Sequence, residues 1–284
     1  MASDLALVFV FIAIILGTVT QILKRYILKE TNPYAYSLAT QIISGLIFLP
    51  FAIINFSLPQ ELIAYAVLAF ASILWSLVSI STYISYKQTE ISIRDPIGQS
   101  KLLWALLFGV LFLGEMITSH RIIGTSIIFL GVVILIWSPK RKFGKLSDPG
   151  IRWTLLAAIL NAMVFLLDKA SLRWFVPEVY GFFVYLFPMF ILVLFLKKRK
   201  HHISHLFKIR AKSTILSIVL SAVAYYFTLK AFSLADFTLV YPLLQLTTLL
   251  TVVGGIFIMK EKENLWQKII ASVLIIIGAI ILKF

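Results

Sequence analysis

The sequence predicts an all-α integral membrane protein whose ten transmembrane helices form two inverted five-helix repeats. Three observations support this fold class. Of the 284 residues, 61% are hydrophobic and only 13% are charged, whereas soluble chains typically contain about 25% charged residues. Apolar runs long enough to cross a bilayer follow one another along almost the whole chain. Several motif spacings in the first half also recur in the second half.

The charge balance is strongly basic for so apolar a chain, with 26 Lys and Arg against 12 Asp and Glu, a net charge of +14. This combination is typical of a polytopic membrane protein whose cytoplasmic loops are rich in Lys and Arg. We expect no nucleic-acid partner, because long apolar runs separate the basic residues. The absence of cysteine excludes disulfides, thiolate metal sites and a cysteine nucleophile.

The helices are predicted from apolar runs, since a bilayer core about 30 Å thick needs about 20 helical residues. The predicted spans are 4–23, 34–55, 61–85, 93–113, 119–137, 153–173, 178–196, 213–232, 236–258 and 265–282. The first run is predicted to be a retained span because no small-residue cleavage site follows it. The runs are continuous rather than alternating, which favours helices over the strands of a barrel.

The two halves of the chain share a spacing of motifs. Pro96 and Glu115 are separated by the same distance as Pro242 and Glu261, and an apolar run containing glycine follows each glutamate. Five spans per copy is an odd number, so the second copy must cross the membrane in the opposite direction. Inverted repeats of this kind are typical of transporters. The predicted domains are a first repeat at 1–139, a basic inter-repeat loop at 140–152 and a second repeat at 153–284.

Each half resembles the EamA-type unit of the drug/metabolite transporter superfamily. The resemblance rests on an early proline in the fourth helix, the turn Leu113-Gly114-Glu115, and a fifth helix that contains glycine. It covers nearly the whole chain as two tandem units, although Lys260 stands where a glycine is usual before the second glutamate. The resemblance implies ten helices around a central cavity, lined mainly by helices 1, 3, 4, 6, 8 and 9, and transport by alternating access.

The distribution of Lys and Arg predicts an orientation. Most basic residues lie in the connections after odd-numbered spans, and the exceptions are Arg121, Lys169, Arg173, Lys230 and Lys283. The positive-inside rule therefore places both termini outside the cytoplasm. The family resemblance instead implies cytoplasmic termini, as in many relatives, so the orientation stays open between these two arrangements.

The fourth span contains the densest group of candidate site residues. Lys101 lies about 12 Å along the helix from Ile93, well inside the hydrocarbon zone, where a charge is expensive and favours a functional role. We expect Lys101, Arg94 and Gln99 to bind substrate. Asp95 is expected to act as a counter-ion or proton carrier. The alternative is a structural ion pair between Asp95 and Arg94, with Lys101 extending to the interface.

Asp168, near the end of the sixth span, is a second candidate for the coupling or counter-ion role. The alternative is an interfacial carboxylate that pairs with Arg173 or a neighbouring lysine. Lys169 is adjacent in sequence, and neighbouring residues on a helix point in different directions. We therefore expect the carboxylate of Asp168 and the amine of Lys169 to have separate partners.

Uncharged polar and aromatic residues complete the candidate binding site. Tyr241, Gln245 and Thr248 recur on one face of the ninth span, where they either hydrogen-bond a substrate or join helices to each other. Buried indole, phenol and amide groups need polar partners. For the remaining candidates, that partner is either a substrate or a neighbouring helix. The substrate-binding candidates outside the fourth span are Trp75, Asn161, Tyr225, Tyr226, Tyr241 and Gln245.

Two further groups of polar residues are expected to serve the structure rather than transport. Glu115 and Glu261 lie at turns, where a carboxylate can accept hydrogen bonds from the start of the next helix. His201, His202 and His205 have a spacing that could suit a metal ion, yet they lie in a basic loop without carboxylates. We expect this loop to contact anionic lipid headgroups, and we expect no metal and no cofactor.

These features together predict a secondary transporter of a small organic solute in the plasma (inner) membrane of a prokaryote. The solute is a metabolite, an amino acid or a drug-like compound, and the basic residues of the fourth span favour one with an anionic group. Expected partners are this solute, a coupling proton or exchanged solute, and anionic lipids. The alternative is a lipid scramblase or flippase, or an accessory subunit of an envelope-modifying system. No enzyme motif is present, and either a monomer or a homodimer fits the repeat.

Overall fold

The computed structural model describes residues 2–28, 30–88, 97–136, 148–196, 201–258 and 265–283. Within these ranges the chain forms helices and no strand, which confirms the predicted all-α class for this part of the protein. The helices are α1 (Ala2–Leu28), α2 (Pro33–Ile54), α3 (Leu62–Gln88), α4 (Lys101–Leu113), α5 (Ser119–Ile136), α6 (Pro149–Ser171), α7 (Pro177–Leu196), α8 (His201–Leu234), α9 (Phe237–Leu244), α10 (Leu246–Ile258) and α11 (Leu265–Lys283).

The described helices fall into two length classes. Five of them, α1, α2, α3, α6 and α8, are long and apolar enough to cross a membrane by length and composition. The remaining apolar helical stretches, in α4, α5, α7, the α9–α10 pair and α11, are shorter. Every predicted span overlaps one of these stretches, although residues 93–96 of the fourth span lie outside the described residues.

Local sequence determines where several helices begin and end. Before α2, Asn32 Oδ1 accepts a hydrogen bond of 2.9 Å from the amide of Tyr34, and a proline occupies the first turn, where its missing N–H costs nothing. Gly114 ends α4 with a φ of 66°, a left-handed conformation that glycine adopts without strain. The chain thus turns sharply at the Gly-Glu pair.

The ninth predicted span, 236–258, contains two helices rather than one. It is broken at Gln245, between α9 and α10. Pro242 lies inside α9, and a proline there removes a hydrogen bond and crowds the preceding turn. The amide of Gln245 donates to the carbonyl of Pro242 at 3.0 Å, a tighter turn than an α-helix has.

The first compact unit combines Met1–Ser79 with Leu167–Leu234. In this unit α1 packs along α8, and α2 packs on α7 and α8. The rings of Phe9 and Phe227 lie 5.6 Å apart, and Tyr36 shares a 2.8 Å hydrogen bond with the hydroxyl of Ser217. The core of the first unit therefore joins helices that are far apart in sequence.

The second compact unit combines Ile80–Leu166 with Ala235–Phe284. Here α5 packs along α11, and α4 packs on α9. Gly124 and Gly278 let α5 and α11 approach closely, because a Cβ added at Gly278 would lie 2.8 Å from the Gly124 carbonyl oxygen. Small residues at helix crossings of this kind are typical of membrane proteins.

Candidate functional site

A buried carboxylate, Asp168 on α6, is the centre of the polar group in the first unit. The residue has no exposed surface. Its Oδ1 accepts hydrogen bonds from Tyr180 Oη at 2.6 Å and from Trp75 Nε1 at 3.2 Å. Its Oδ2 accepts one from Tyr225 Oη at 2.9 Å. Four helices thus converge on this side chain, because its donors lie on α3, α7 and α8.

The surroundings of Asp168 differ from those expected of an interfacial carboxylate. All three hydrogen-bond donors are uncharged, and Arg173 is not among its partners. Lys169 instead donates from Nζ to the carbonyl of Phe232 at 2.5 Å, so the adjacent acid and amine have separate partners, as predicted. The alternative in which Asp168 pairs with Arg173 or a neighbouring lysine is wrong for the described residues.

Aromatic rings enclose the carboxylate. The rings of Trp75 and Tyr225 meet edge to face with centroids 6.1 Å apart, and Tyr185 packs on Tyr225 at 5.5 Å. Tyr180 has no exposed surface and packs with Phe175 at 6.3 Å. This shell holds the three donors in place and keeps water from the carboxylate in this conformation.

An ion pair lies beside this cluster, on the same two helices that supply the tyrosines. Glu178 in the first turn of α7 pairs with Lys230 of α8 at 3.0 Å and accepts a 2.9 Å hydrogen bond from Tyr226 Oη. The side chain of Lys230 is 30% exposed. Tyr226, a predicted site residue, therefore belongs to this pair and not to the Asp168 cluster.

Tyr180 and Glu178 were not among the sequence candidates. Glu178 carries a detectable signal, because it is an acidic residue within a predicted span and is preceded by Pro177 at a helix start. Tyr180 has no such signal, because its local sequence does not distinguish it from many of the other tyrosines among the 11 in the chain.

Three candidates of the second unit form a smaller polar group. Tyr241 Oη on α9 donates to Asn161 Oδ1 on α6 at 2.7 Å. Two aromatic rings, of Phe237 and Phe165, pack on Tyr241 at 5.1 and 5.3 Å. Gln245 Nε2 approaches the Tyr241 carbonyl at 3.5 Å, at the long limit of a hydrogen bond. The polar atoms of these residues can therefore hydrogen-bond each other or an uncharged part of a solute.

The candidates of the fourth span are only partly described. Lys101 begins α4 and is half-buried, and Gln99 just before it is buried. Within the described part of the chain the Oε1 atom of Gln99 has no hydrogen-bond partner, which is costly for a buried amide oxygen. Arg94 and Asp95 lie outside the described residues.

Glu115 stabilises a helix start, but not the start of the next helix. Its Oε1 accepts from the amide of Phe237 at 2.6 Å, and its Oε2 accepts from the amide and hydroxyl of Thr238 at 2.8 and 2.6 Å. These amides belong to the first turn of α9. Asp236, at the N-cap position, makes no side-chain capping bond and pairs with Arg121 instead. The expected partner was wrong because the sequence does not show which helix start lies nearby. Glu261 lies outside the described residues.

The predicted site residues thus fall into two groups with different chemistry. The first unit holds a buried carboxylate, uncharged donors and one ion pair. The second holds neutral hydrogen-bonding groups and one half-buried lysine. In the described ranges no group of three or more His, Cys, Asp or Glu side chains could hold a metal ion. The polar atoms of both groups can form hydrogen bonds with a polar solute.

Comparison with known proteins identifies similar chains. The model of the EamA-like transporter family matches residues 4–137 and 148–284. Protein CLT1, chloroplastic, of Arabidopsis thaliana is 24% identical over 205 residues, which are 64% of this chain and 46% of the relative. Protein CLT3, chloroplastic, from the same plant is 27% identical over 100 residues, 30% of this chain and 22% of the relative. The chain spans less than half the length of these curated relatives.

A solved crystal structure shows the same fold. It superposes with a TM-score of 0.81 and 16% sequence identity, and the match covers 97% of this chain and 95% of the other.

Proposed function

Because the chain belongs to the EamA-like transporter family, we propose that it moves a small organic solute across a membrane as a secondary transporter with alternating access. The protein is an integral multi-pass membrane protein. The family membership supports membrane transport of the drug or metabolite type. The solute, its coupling and the mechanism are the parts that we propose.

We propose ten spans in two inverted five-helix repeats as the scaffold of this transporter. The helix contacts support this arrangement, because three pairs join a helix to its counterpart in the other repeat. These pairs are α2 with α7, α4 with α9, and α5 with α11. Inverted repeats related by a two-fold axis produce contacts of this kind at the axis.

The observation that carries the proposal is the buried carboxylate of Asp168 with its uncharged donors. An ionisable residue inside a membrane span is expensive and is retained chiefly for function. We propose that Trp75, Tyr225 and Asp168 contact the solute in the first unit, and that Asn161, Tyr241 and Gln245 contact it in the second unit. The half-buried Lys101 supports a preference for a solute with an anionic group.

The proposal is tested with the purified full chain in liposomes, using a panel of labelled amino acids, organic acids and amines. We expect uptake of at least one class. Trp75→Phe removes the indole donor from Asp168, and a hydrogen bond to a charged group is worth about 1.5 kcal/mol or more, so we expect about a tenfold loss of transport. Trp266→Phe is the matched control because Trp266 is 79% exposed.

The same liposomes distinguish solute transport from the movement of lipid between leaflets. If no solute crosses while a fluorescent phospholipid moves between leaflets, the scramblase alternative replaces the proposed function. If the panel crosses equally well with both tryptophan variants, the pathway does not include Trp75.

We also propose that the start of α8 contacts anionic lipid headgroups. The helix is kinked at Arg210, whose φ and ψ are −135° and 34°, and Arg210 donates two hydrogen bonds of 3.1 Å to Glu30. Leu206 packs this segment into the core of the first unit. Lys208 and Lys212 remain exposed, and α8 contains no acidic residue.

A further inference from the structure

We infer that Asp168 is the residue at which this transporter binds and releases a coupling proton. The inference rests on the proposed function and deepens it, because it names both the coupling ion and the atom that carries it. The proton adds to one carboxylate oxygen of Asp168, forms an O–H bond and removes one negative charge from the protein interior. The reverse step returns the proton to water.

The hydrogen-bond partners of Asp168 can accommodate both protonation states. Tyr180 and Tyr225 donate to the carboxylate at 2.6 and 2.9 Å. A phenol hydroxyl can also accept a hydrogen bond, so rotation of one hydroxyl gives a protonated Asp168 an acceptor without moving any helix. Trp75, the third partner, is a donor only and donates to Oδ1, so a proton on Oδ2, where Tyr225 is the partner, leaves its acceptor unchanged.

The ion pair next to this cluster contains a carboxylate whose partner can accommodate only the charged form. Glu178 has an ammonium partner, Lys230, at 3.0 Å, and an ammonium can donate but never accept. Protonation of Glu178 would therefore leave the charge of Lys230 unbalanced in a half-buried place. Within the first unit, the ammonium partner of Glu178 favours its charged form, whereas the partners of Asp168 can form hydrogen bonds with either protonation state.

The described hydrogen-bond partners of Asp168 are all uncharged. On α6 itself, the amine of Lys169 contacts the Phe232 carbonyl. From α7 the titratable neighbours are Tyr180, Tyr185 and Glu178, and from α8 they are Tyr225, Tyr226 and Lys230. From α3 the described contact is the neutral indole of Trp75. The three uncharged donors offset only part of the cost of burying a charged carboxylate, and protonation relieves the rest.

Water has a place to approach this end of the first unit. The side chain of Lys230 is 30% exposed and that of Glu178 is 10% exposed, whereas Asp168 has no exposed surface. Tyr226, the partner of Glu178, is adjacent on α8 to Tyr225, the partner of Asp168. We propose that water reaches the cluster from the side of this partly exposed ion pair.

The experiment uses protons as the probe and needs no solute. Infrared difference spectra of the purified full chain in detergent are recorded along a pH titration, and the band of protonated carboxyl groups is followed. We expect the wild type to show a buried carboxyl band that is absent in Asp168→Asn and retained in Glu178→Gln. A band that persists in Asp168→Asn overturns the inference, and so does a wild type without such a band at any pH at which it stays folded.

A second pair of variants serves if Asp168→Asn does not fold. Tyr180→Phe and Tyr225→Phe keep the carboxylate and remove one donor each, so both should shift the pH midpoint of the band without abolishing it. An unchanged midpoint in both variants overturns the inference. Because no solute is involved, failure here leaves the proposed solute transport standing, and failure of solute uptake in liposomes leaves this titration unaffected.

Discussion

Glu115 and Thr238 are joined by two hydrogen bonds across 123 residues of sequence, one from the amide of Thr238 at 2.8 Å and one from its hydroxyl at 2.6 Å. A carboxylate from the turn after α4 thus satisfies the first amides of α9. The negative charge of Glu115 also interacts favourably with the dipole at the start of α9, which adds to the stabilisation by these hydrogen bonds.

Glu115→Ala should destabilise the second unit by about 1–3 kcal/mol, since it leaves two buried amides without an acceptor. The effect is measured as a loss of thermal stability in detergent. Asp236→Asn is the comparison, because Asp236 is half-exposed and makes only the pair with Arg121, which is worth about 0–1 kcal/mol. Equal losses in the two variants would contradict the capping role of Glu115.

Tyr241→Phe and Asn161→Ala should be coupled in a double-mutant cycle, because each removes one side of the 2.7 Å hydrogen bond between α9 and α6. We expect a coupling free energy of about 0.6 kcal/mol, the average for such bonds between membrane helices, and at most about 1.7 kcal/mol. Unfolding in detergent measures it. Strictly additive effects would mean that the bond contributes nothing to stability, and the two residues would then be free to serve a solute.

Gly278→Ala should destabilise the α5–α11 contact, because the added Cβ would lie 2.8 Å from the Gly124 carbonyl oxygen and 2.9 Å from the amide nitrogen of Ile128. Overpacking of this kind costs about 1–3 kcal/mol. Gly45→Ala is the control, since its Cβ would meet only Tyr185 Cβ at 3.7 Å. A thermal melt in which Gly278→Ala is as stable as Gly45→Ala would show that the two helices can separate at little cost.

Anionic lipid should stabilise the protein through the start of α8. Adding phosphatidylglycerol to the detergent-solubilised chain should raise the melting temperature more than phosphatidylcholine does, and Lys208→Gln with Lys212→Gln should reduce that difference. Each basic residue near an anionic surface contributes about 1 kcal/mol. Arg173→Gln is the matched control. Arg173 is also exposed, but it follows the end of α6, where Lys169 contacts Phe232 near the C-terminal end of α8. Lys208 and Lys212 lie near the opposite end of α8. An equal loss with Arg173→Gln would refute the assignment to α8.

The sequence predicts helix positions well because hydropathy depends on local composition. It also identifies Asp168, Trp75 and Tyr225 individually, since each is unusual in an apolar span. It does not predict that Asp168 accepts from Tyr180 and Tyr225, because such pairing depends on how α6, α7 and α8 pack. For the ninth span, Pro242 predicts a local weakening of the helix, but hydropathy does not show that the helix ends at Leu244 and restarts at Leu246.

The composition of the two compact units has a consequence for synthesis. In the first unit α1 packs along α8, with Phe9 against Phe227, and residues 80–166 belong to the other unit. The ribosome therefore releases α1 into the bilayer long before its packing partner exists, and lipid must solvate its apolar face in the meantime. Neither unit can complete its core until the second half of the chain is inserted, so the protein acquires its tertiary structure late in translation.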